Sequence, residues 1–227
     1  VGYMLSTAGY DCLALNALVK AGVLESLGKP LGVGKESDVY DALTQRGERV
    51  AVKFHRLGRV SFRQTRRLRG YLLNRRHASW LYQSRLAAEK EVEALKLVYP
   101  CGVSVPKPIA HNRHVVVMGM IEGECLFRFT EIPNPGEILD EILENVRKAY
   151  VKAGVIHGDL SEFNVVLASD WHVLIIDWPQ FVRTDHPNAD FLLKRDVWNV
   201  LNFFKRKFKI VRDLQEALNY VTTSLEP

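Results

Sequence analysis

The sequence predicts an α+β protein of two lobes, a strand-rich part followed by a helix-rich part. Two observations carry this. Short apolar runs with hairpin punctuation fill the chain up to residues 118–123, and helical periodicities dominate afterwards. The chain also has 227 residues, with 47% apolar and 25% charged, close to the globular average. That excludes disorder, collagen and coiled coil for the whole chain, and allows one large domain or two small ones.

In order along the chain, residues 1–6 read as a short strand and residues 10–23 as a helix with apolar positions at Leu13, Leu15, Leu18 and Val19. Gly28, Gly32 and Gly34 then punctuate a new region. Residues 38–43 and 49–54 are strands joined at Gln45-Arg46-Gly47. Residues 85–98 form an amphipathic helix that stops before Pro100-Cys101-Gly102. Strands follow at 109–110 and 115–118. A helix is expected over 135–153, short strands at 164–167 and 172–176, and helices over 188–207 and 211–224. Trp178 and Trp198 are expected in the core.

The net charge of +5 is unevenly spread. Residues 49–88 hold eleven basic side chains and no carboxylate, leaving 20 basic against 26 acidic residues elsewhere, or −6. This block includes Arg56, Arg59, Arg63, Arg66, Arg67, Arg69, Arg75, Arg76 and Arg85. It should attract polyanions, and the interleaved Phe62, Tyr71, Trp80 and Tyr82 can stack on bases. RNA contact is the expectation; a solvated insert is the alternative. The longest apolar stretch, residues 115–121, is far shorter than the ~20 residues that cross a bilayer, so no membrane role is expected. Three cysteines without ligand spacing fit a reducing cytoplasm.

One constellation carries chemistry. Asp159 and Asn164 lie five apart in His157-Gly158-Asp159-Leu160-Ser161-Glu162-Phe163-Asn164, and Asp177 follows thirteen residues later at the end of an apolar run. Upstream, Gly32, Gly34, Lys35 and Ser37 can cover phosphates, since glycine lets the backbone approach closely. Lys53 can reach the α and β phosphates of ATP. Of Glu89, Glu91 and Glu93, only Glu91 shares the apolar face of its helix with Ala88, Leu95 and Val98, so Glu91 is assigned to hold Lys53. Mg²⁺ takes one or two oxygen ligands plus phosphates and water, a role Asn164 and Asp177 can fill. Asp159 is then placed to orient or deprotonate an acceptor or a water. His55, His111, His114 and His172 are read as surface or packed residues, and Asp196 either as a buttress of the Asp159 loop or as a helix cap. Ser61 and Thr65 are candidate autophosphorylation sites.

These residues resemble protein-kinase-like phosphotransferases, with His157-Gly158-Asp159 and Asp177-Trp178-Pro179 at the loop and metal motifs. More closely, the chain resembles the RIO family of atypical kinases. The carriers are Gly34-Lys35-Glu36-Ser37-Asp38-Val39-Tyr40, the 157–164 segment, Ile176-Asp177-Trp178-Pro179-Gln180 and His186-Pro187-Asn188-Ala189. The last two point to the winged-helix-containing Rio-two subfamily. The resemblance implies a two-lobed kinase-like fold. Residues 1–25 would be the end of a winged-helix domain and its linker helix, 26–120 would be the N-lobe with a flexible basic loop at 56–84, and 121–227 a reduced C-lobe. It implies that ATP with Mg²⁺ or Mn²⁺ binds between the lobes, with Val39 in the nucleotide site, Met118 behind the adenine, and backbone groups of Gly119 and Ile121 on the base. It further implies a phosphoaspartate on Asp177, a role in maturation of the small ribosomal subunit, and an rRNA partner for the basic loop. Gly158 stands where ordinary kinases carry an arginine, and only 50 residues follow Asp177, too few for an activation segment plus a peptide-binding lobe. The competing expectations are a small-molecule phosphotransferase of the aminoglycoside or choline kinase type, and an RNA scaffold that binds ATP without turnover.

Overall fold

The computed structural model describes residues 5–57 and 80–224. The chain divides into two compact units, Val1–Val92 with Lys107–Met120, and Glu93–Pro106 with Ile121–Pro227.

Among the described residues the first element is α1 (Thr7–Lys20), and residues 5–6 are not strand. Residues 1–4 lie outside the described residues. Ser6 is the N-cap, its hydroxyl accepting from Gly9 N at 3.2 Å, so the helix starts earlier than the apolar pattern indicates. Gly22, at φ +72°, ends the turn after the helix. Ala14 and Leu18 face inward, whereas Leu13 and Val19 are exposed. Five antiparallel strands follow: β1 (Ser26–Val33), β2 (Ser37–Leu43), β3 (Arg49–His55), β4 (Pro108–Asn112) and β5 (Val115–Gly119), in sheet order β1-β2-β3-β5-β4. Strand alternation in β3 divides the chemistry. Val50, Val52 and Phe54 enter one core with Ala14, Leu18, Leu24 and Val117. Ala51 packs on the other face, with Val116, Met118, Ala88 and Val92. The last two belong to α2 (Trp80–Val98), which begins before the expected residue 85 and passes from the first unit to the second after Val92. The C-terminal end of the 56–84 segment is therefore helix rather than loop. Arg56 and Leu57 are buried and 80–84 are helical, while 58–79, with Ser61 and Thr65, lie outside the described residues.

In the second unit, β6 (Gly123–Cys125), β8 (Val165–Ala168) and β9 (Val173–Ile175) form a sheet ordered β6-β8-β9, and β7 (Val155–Ile156) pairs with β10 (Val182–Arg183). β6, β7 and β10 are too short to leave a sequence pattern. Helix α3 (Pro135–Val151) buries Ile138, Leu139, Ile142, Leu143, Val146 and Ala149, the spacing of one helix face. Helix α4 (Ala189–Phe208) buries Leu193, Val197, Val200, Leu201 and Phe204, and α5 (Leu214–Thr222) buries Ala217 and Val221. Burying one such leucine or isoleucine is worth about 1.5–3 kcal/mol, so α3 and α4 supply much of this unit's cohesion. Trp178 lies in the middle of this core, but Trp198 does not: its ring is on the outer face of α4, 51% exposed. No helix among the described residues is long and apolar enough to cross a membrane.

Candidate active site

The first unit gathers one half of the expected residues on one sheet face. The register pairs Gly32 with Val39, Val39 with Lys53 and Lys53 with Val116, so a single row crosses β1, β2, β3 and β5. Gly34 and Ser37 bound the turn between β1 and β2, closed by Gly34 N–H donating to Ser37 O at 2.8 Å. Gly32, Gly34 and Lys35 are exposed, and Ser37 and Val39 are half-buried. Val39, Met118 and Ala51 pack together, an apolar patch on the Lys53 face. Gly119 follows on β5, its N–H donating to Lys107 O at 2.8 Å.

Lys53 Nζ donates to Glu91 Oε1 at 2.6 Å, and both side chains are buried. Glu91 is thus the carboxylate that meets Lys53, as the helix-face argument requires. Glu89 points elsewhere and pairs with Arg85 at 2.8 Å, and Glu93 is exposed. The third member of the cluster is one that sequence reasoning missed. His55, two residues beyond Lys53 and on the same strand face, meets Glu91 Oε2 at 2.7 Å. The alternation 51, 53, 55 was the signal that could have found it.

The second unit holds Ile121, Asp159, Asn164 and Asp177. The last three are connected by a short chain of hydrogen bonds. Asn164 Nδ2 donates to Asp159 O at 2.8 Å, and Ile176 N–H donates to Asn164 O at 2.9 Å. The amide nitrogen of Asn164 is therefore turned to the loop, and its oxygen is the end that a divalent cation would take. Asp177, at φ +67°, is one of few non-glycine residues in the left-handed region. Such a conformation costs about 1–3 kcal/mol and needs a surrounding frame to hold it. His157 supplies part of that frame: Nε2 lies 3.0 Å from Ile176 O, Nδ1 lies 3.3 Å from Asp159 N, and the ring packs on Trp178 at 4.5 Å. Accepting at Nδ1 and donating at Nε2 is the pattern of an imidazole protonated on Nε2. Asp159 itself is exposed.

Helix α4 grips the loop from beneath. Asp196 Oδ2 accepts from Gly158 N at 2.7 Å and Oδ1 from Leu160 N at 3.0 Å. Arg195 donates to Gly158 O, and Asn199 Nδ2 to Leu160 O at 3.0 Å. Asp196 is thus the buttress and not a helix cap. Burial pushes its carboxyl up to about 7, although the two backbone N–H groups favour the charged form. Gly158 sits at φ +77°, and a Cβ there would lie 2.5 Å from Gln180 O. Backbone geometry therefore disfavours an arginine, or any residue with a Cβ, at this position.

A family model described as the RIO domain matches residues 38–217. The chain is 48% identical to the RIO-type serine/threonine-protein kinase Rio2 of Methanocaldococcus jannaschii, over 97% of this chain and 84% of that protein. It is 42% identical to serine/threonine-protein kinase rio2 of Schizosaccharomyces pombe, over 94% of this chain but 62% of the relative. The crystal structure of a Rio2 kinase-ADP/Mg²⁺-phosphoaspartate complex from Chaetomium thermophilum matches 98% of this chain and 69% of that one, with a TM-score of 0.80 at 36% identity.

The chain belongs to the RIO kinase family.

It is an ATP-dependent phosphotransferase with the protein-kinase-like fold of that family. His55, His157, Gly158, Arg195 and Asn199 are the residues that sequence reasoning did not place in the site or left without a role.

Proposed function

We propose that this chain hydrolyses Mg-ATP by way of a phosphoaspartate, as a switch in maturation of the small ribosomal subunit. The observation that carries the reading is the hydrogen-bonded series from Asp159 through Asn164 to Ile176, which holds the catalytic loop and the Asp177 segment as one piece. The Chaetomium Rio2 kinase, captured as an ADP/Mg²⁺-phosphoaspartate complex, supports it from a relative at 36% identity.

In this reading the first unit binds the nucleotide. Gly34, Lys35 and Ser37 meet phosphate, Lys53 neutralises it, Val39 and Met118 contact the adenine, and Gly119 contributes a backbone group. The second unit fits a hard divalent cation, since Asp177 and Asn164 both offer oxygen. Held by those oxygens, Mg²⁺ or Mn²⁺ would neutralise phosphate charge and help orient the γ-phosphoryl group. A carboxylate oxygen of Asp177 attacks the γ-phosphorus, the bond to the β–γ bridging oxygen breaks, and ADP leaves with that electron pair. Water then attacks the phosphorus of the acyl phosphate, Asp159 accepts its proton, and the bond to Asp177 breaks to release phosphate. Serine or threonine autophosphorylation is a side reaction in this reading.

The partner is a small-subunit precursor and its rRNA, reached through the arginines of the 56–84 segment. Arg56 leaves that set because it is buried, and Arg59 through Arg76 carry the charge. Action on that precursor places the chain in the cytoplasm. The experiment is γ-labelled ATP with Mg²⁺, followed by hydroxylamine. Label on the protein that hydroxylamine releases and Asp177→Asn abolishes supports the reading. Hydroxylamine-stable label on serine or threonine, with no released phosphate, overturns it.

A further inference from the structure

Arg56 belongs to the basic block by sequence, yet only 6% of it is exposed. Its backbone N–H donates to Glu36 O at 2.6 Å, inside the turn between β1 and β2. Its Nε donates to Asp38 Oδ2 at 2.9 Å, one residue beyond Ser37. Its Nη1 and Nη2 donate to Asp11 Oδ1 and Oδ2 at 2.6 and 2.9 Å, a two-pronged grip on helix α1. His114 Nε2 meets the same Asp11 oxygen at 2.7 Å, and Tyr10 stacks on His114 at 4.7 Å, which fixes the helix side of the junction. Phe54 lies under the guanidinium at 5.0 Å.

One side chain therefore joins three pieces of chain that are remote in sequence. Burial works against its charge, but hydrogen bonds to Asp11 and Asp38 outweigh this and hold the guanidinium above its usual value. A planar fork fixes direction as well as charge, which an ammonium on a flexible stem does not. The backbone bond to Glu36 makes the position of the 34–37 turn follow the position of Arg56.

We propose that Arg56 is a positioning residue for phosphate binding, locking the 34–37 turn to helix α1 so that affinity for nucleotide phosphates depends on the grip of Asp11. The inference rests on the reading above that this turn and Lys53 bind phosphate. Coupling of this kind is reciprocal: whatever displaces α1 weakens phosphate binding, and bound phosphate stiffens the seat of α1.

The test uses the full chain and calorimetric titration with Mg-ATP, Mg-ADP and adenosine. Asp11→Asn and Arg56→Lys each weaken ATP and ADP about tenfold while adenosine changes less than about twofold. A merely structural role would lower the urea midpoint and leave the ATP-to-adenosine ratio as in the wild type; that result overturns the proposal. Lys53→Met separates the two layers. If Lys53→Met weakens ATP and Asp11→Asn does not, the Arg56 inference alone fails. If Lys53→Met leaves ATP affinity intact, the underlying phosphate site fails. Should Arg56→Lys not fold, Asp11→Asn decides alone, because the Asp11 side chain is 20% exposed and Asp38 still pairs with the guanidinium.

Discussion

Replacing Gly158 with alanine tests whether the catalytic loop is fixed by backbone geometry. The new Cβ would stand 2.5 Å from Gln180 O, where real contacts are not closer than 3.0 Å and are mostly beyond 3.4 Å. The loop must therefore move by 3.0 − 2.5 = 0.5 Å to 3.4 − 2.5 = 0.9 Å. The acceptor is a backbone oxygen, so no side chain can swing aside. A φ of +77° adds about 1–2 kcal/mol of strain for any residue with a Cβ. Together these predict a stability loss of about 2–4 kcal/mol, in the range of substitutions at special backbone positions. Asp159 is the next residue, and a misplacement of this size costs about 10- to 100-fold in rate when geometry is tight. Urea unfolding and kcat at saturating Mg-ATP measure the two effects. A variant within about 0.5 kcal/mol of the wild type and with kcat within twofold would refute the reasoning.

Glu91→Gln removes the carboxylate between Lys53 and His55; a loss of about 3 kcal/mol in urea and a raised KM for ATP are expected, since removing one partner of a buried pair is costly. Asp196 gives a pH prediction. The folded carboxyl keeps its proton to about pH 7 while the unfolded one loses it near 3.8, so the folded state binds more protons between these values and stability falls as pH rises through that window. The amide of the Asp196→Asn variant does not titrate, so the urea stability of the wild type relative to that variant should drop by at most about 4 kcal/mol from pH 4 to pH 7 and stay level above it; a constant difference contradicts this. Replacing Arg66, Arg67 and Arg69 together with alanine should weaken RNA binding and flatten its salt dependence, and unchanged binding removes the RNA role of that segment.

The legible parts of the site were those written in short spacings. Asp159, Asn164 and Asp177 lie within nineteen residues, and Glu91 announces itself as a carboxylate on an apolar helix face. What stayed hidden depends on remote contacts. Charge counting cannot tell a solvated arginine from Arg56, whose partners Asp11 and Asp38 lie 45 and 18 residues away. β1 escaped because it is an exposed edge strand with register breaks around Pro30, so no alternation marks it. β6, β7 and β10 exist only through their pairing partners. Trp198 was placed in the core on its residue type, although the helical spacing of Val197, Val200 and Leu201 already turns it outward.

The most direct test of the central claim is Mg²⁺-dependent single-turnover hydrolysis of ATP by the wild-type chain, Asp159→Asn and Asp177→Asn. The wild type is predicted to release phosphate, and Asp159→Asn to retain protein-bound label because water is no longer activated. Asp177→Asn should give neither label nor phosphate. Undiminished phosphate release from Asp177→Asn would contradict the phosphoaspartate route, since the γ-phosphoryl group would then be leaving by a path that does not pass through that carboxylate.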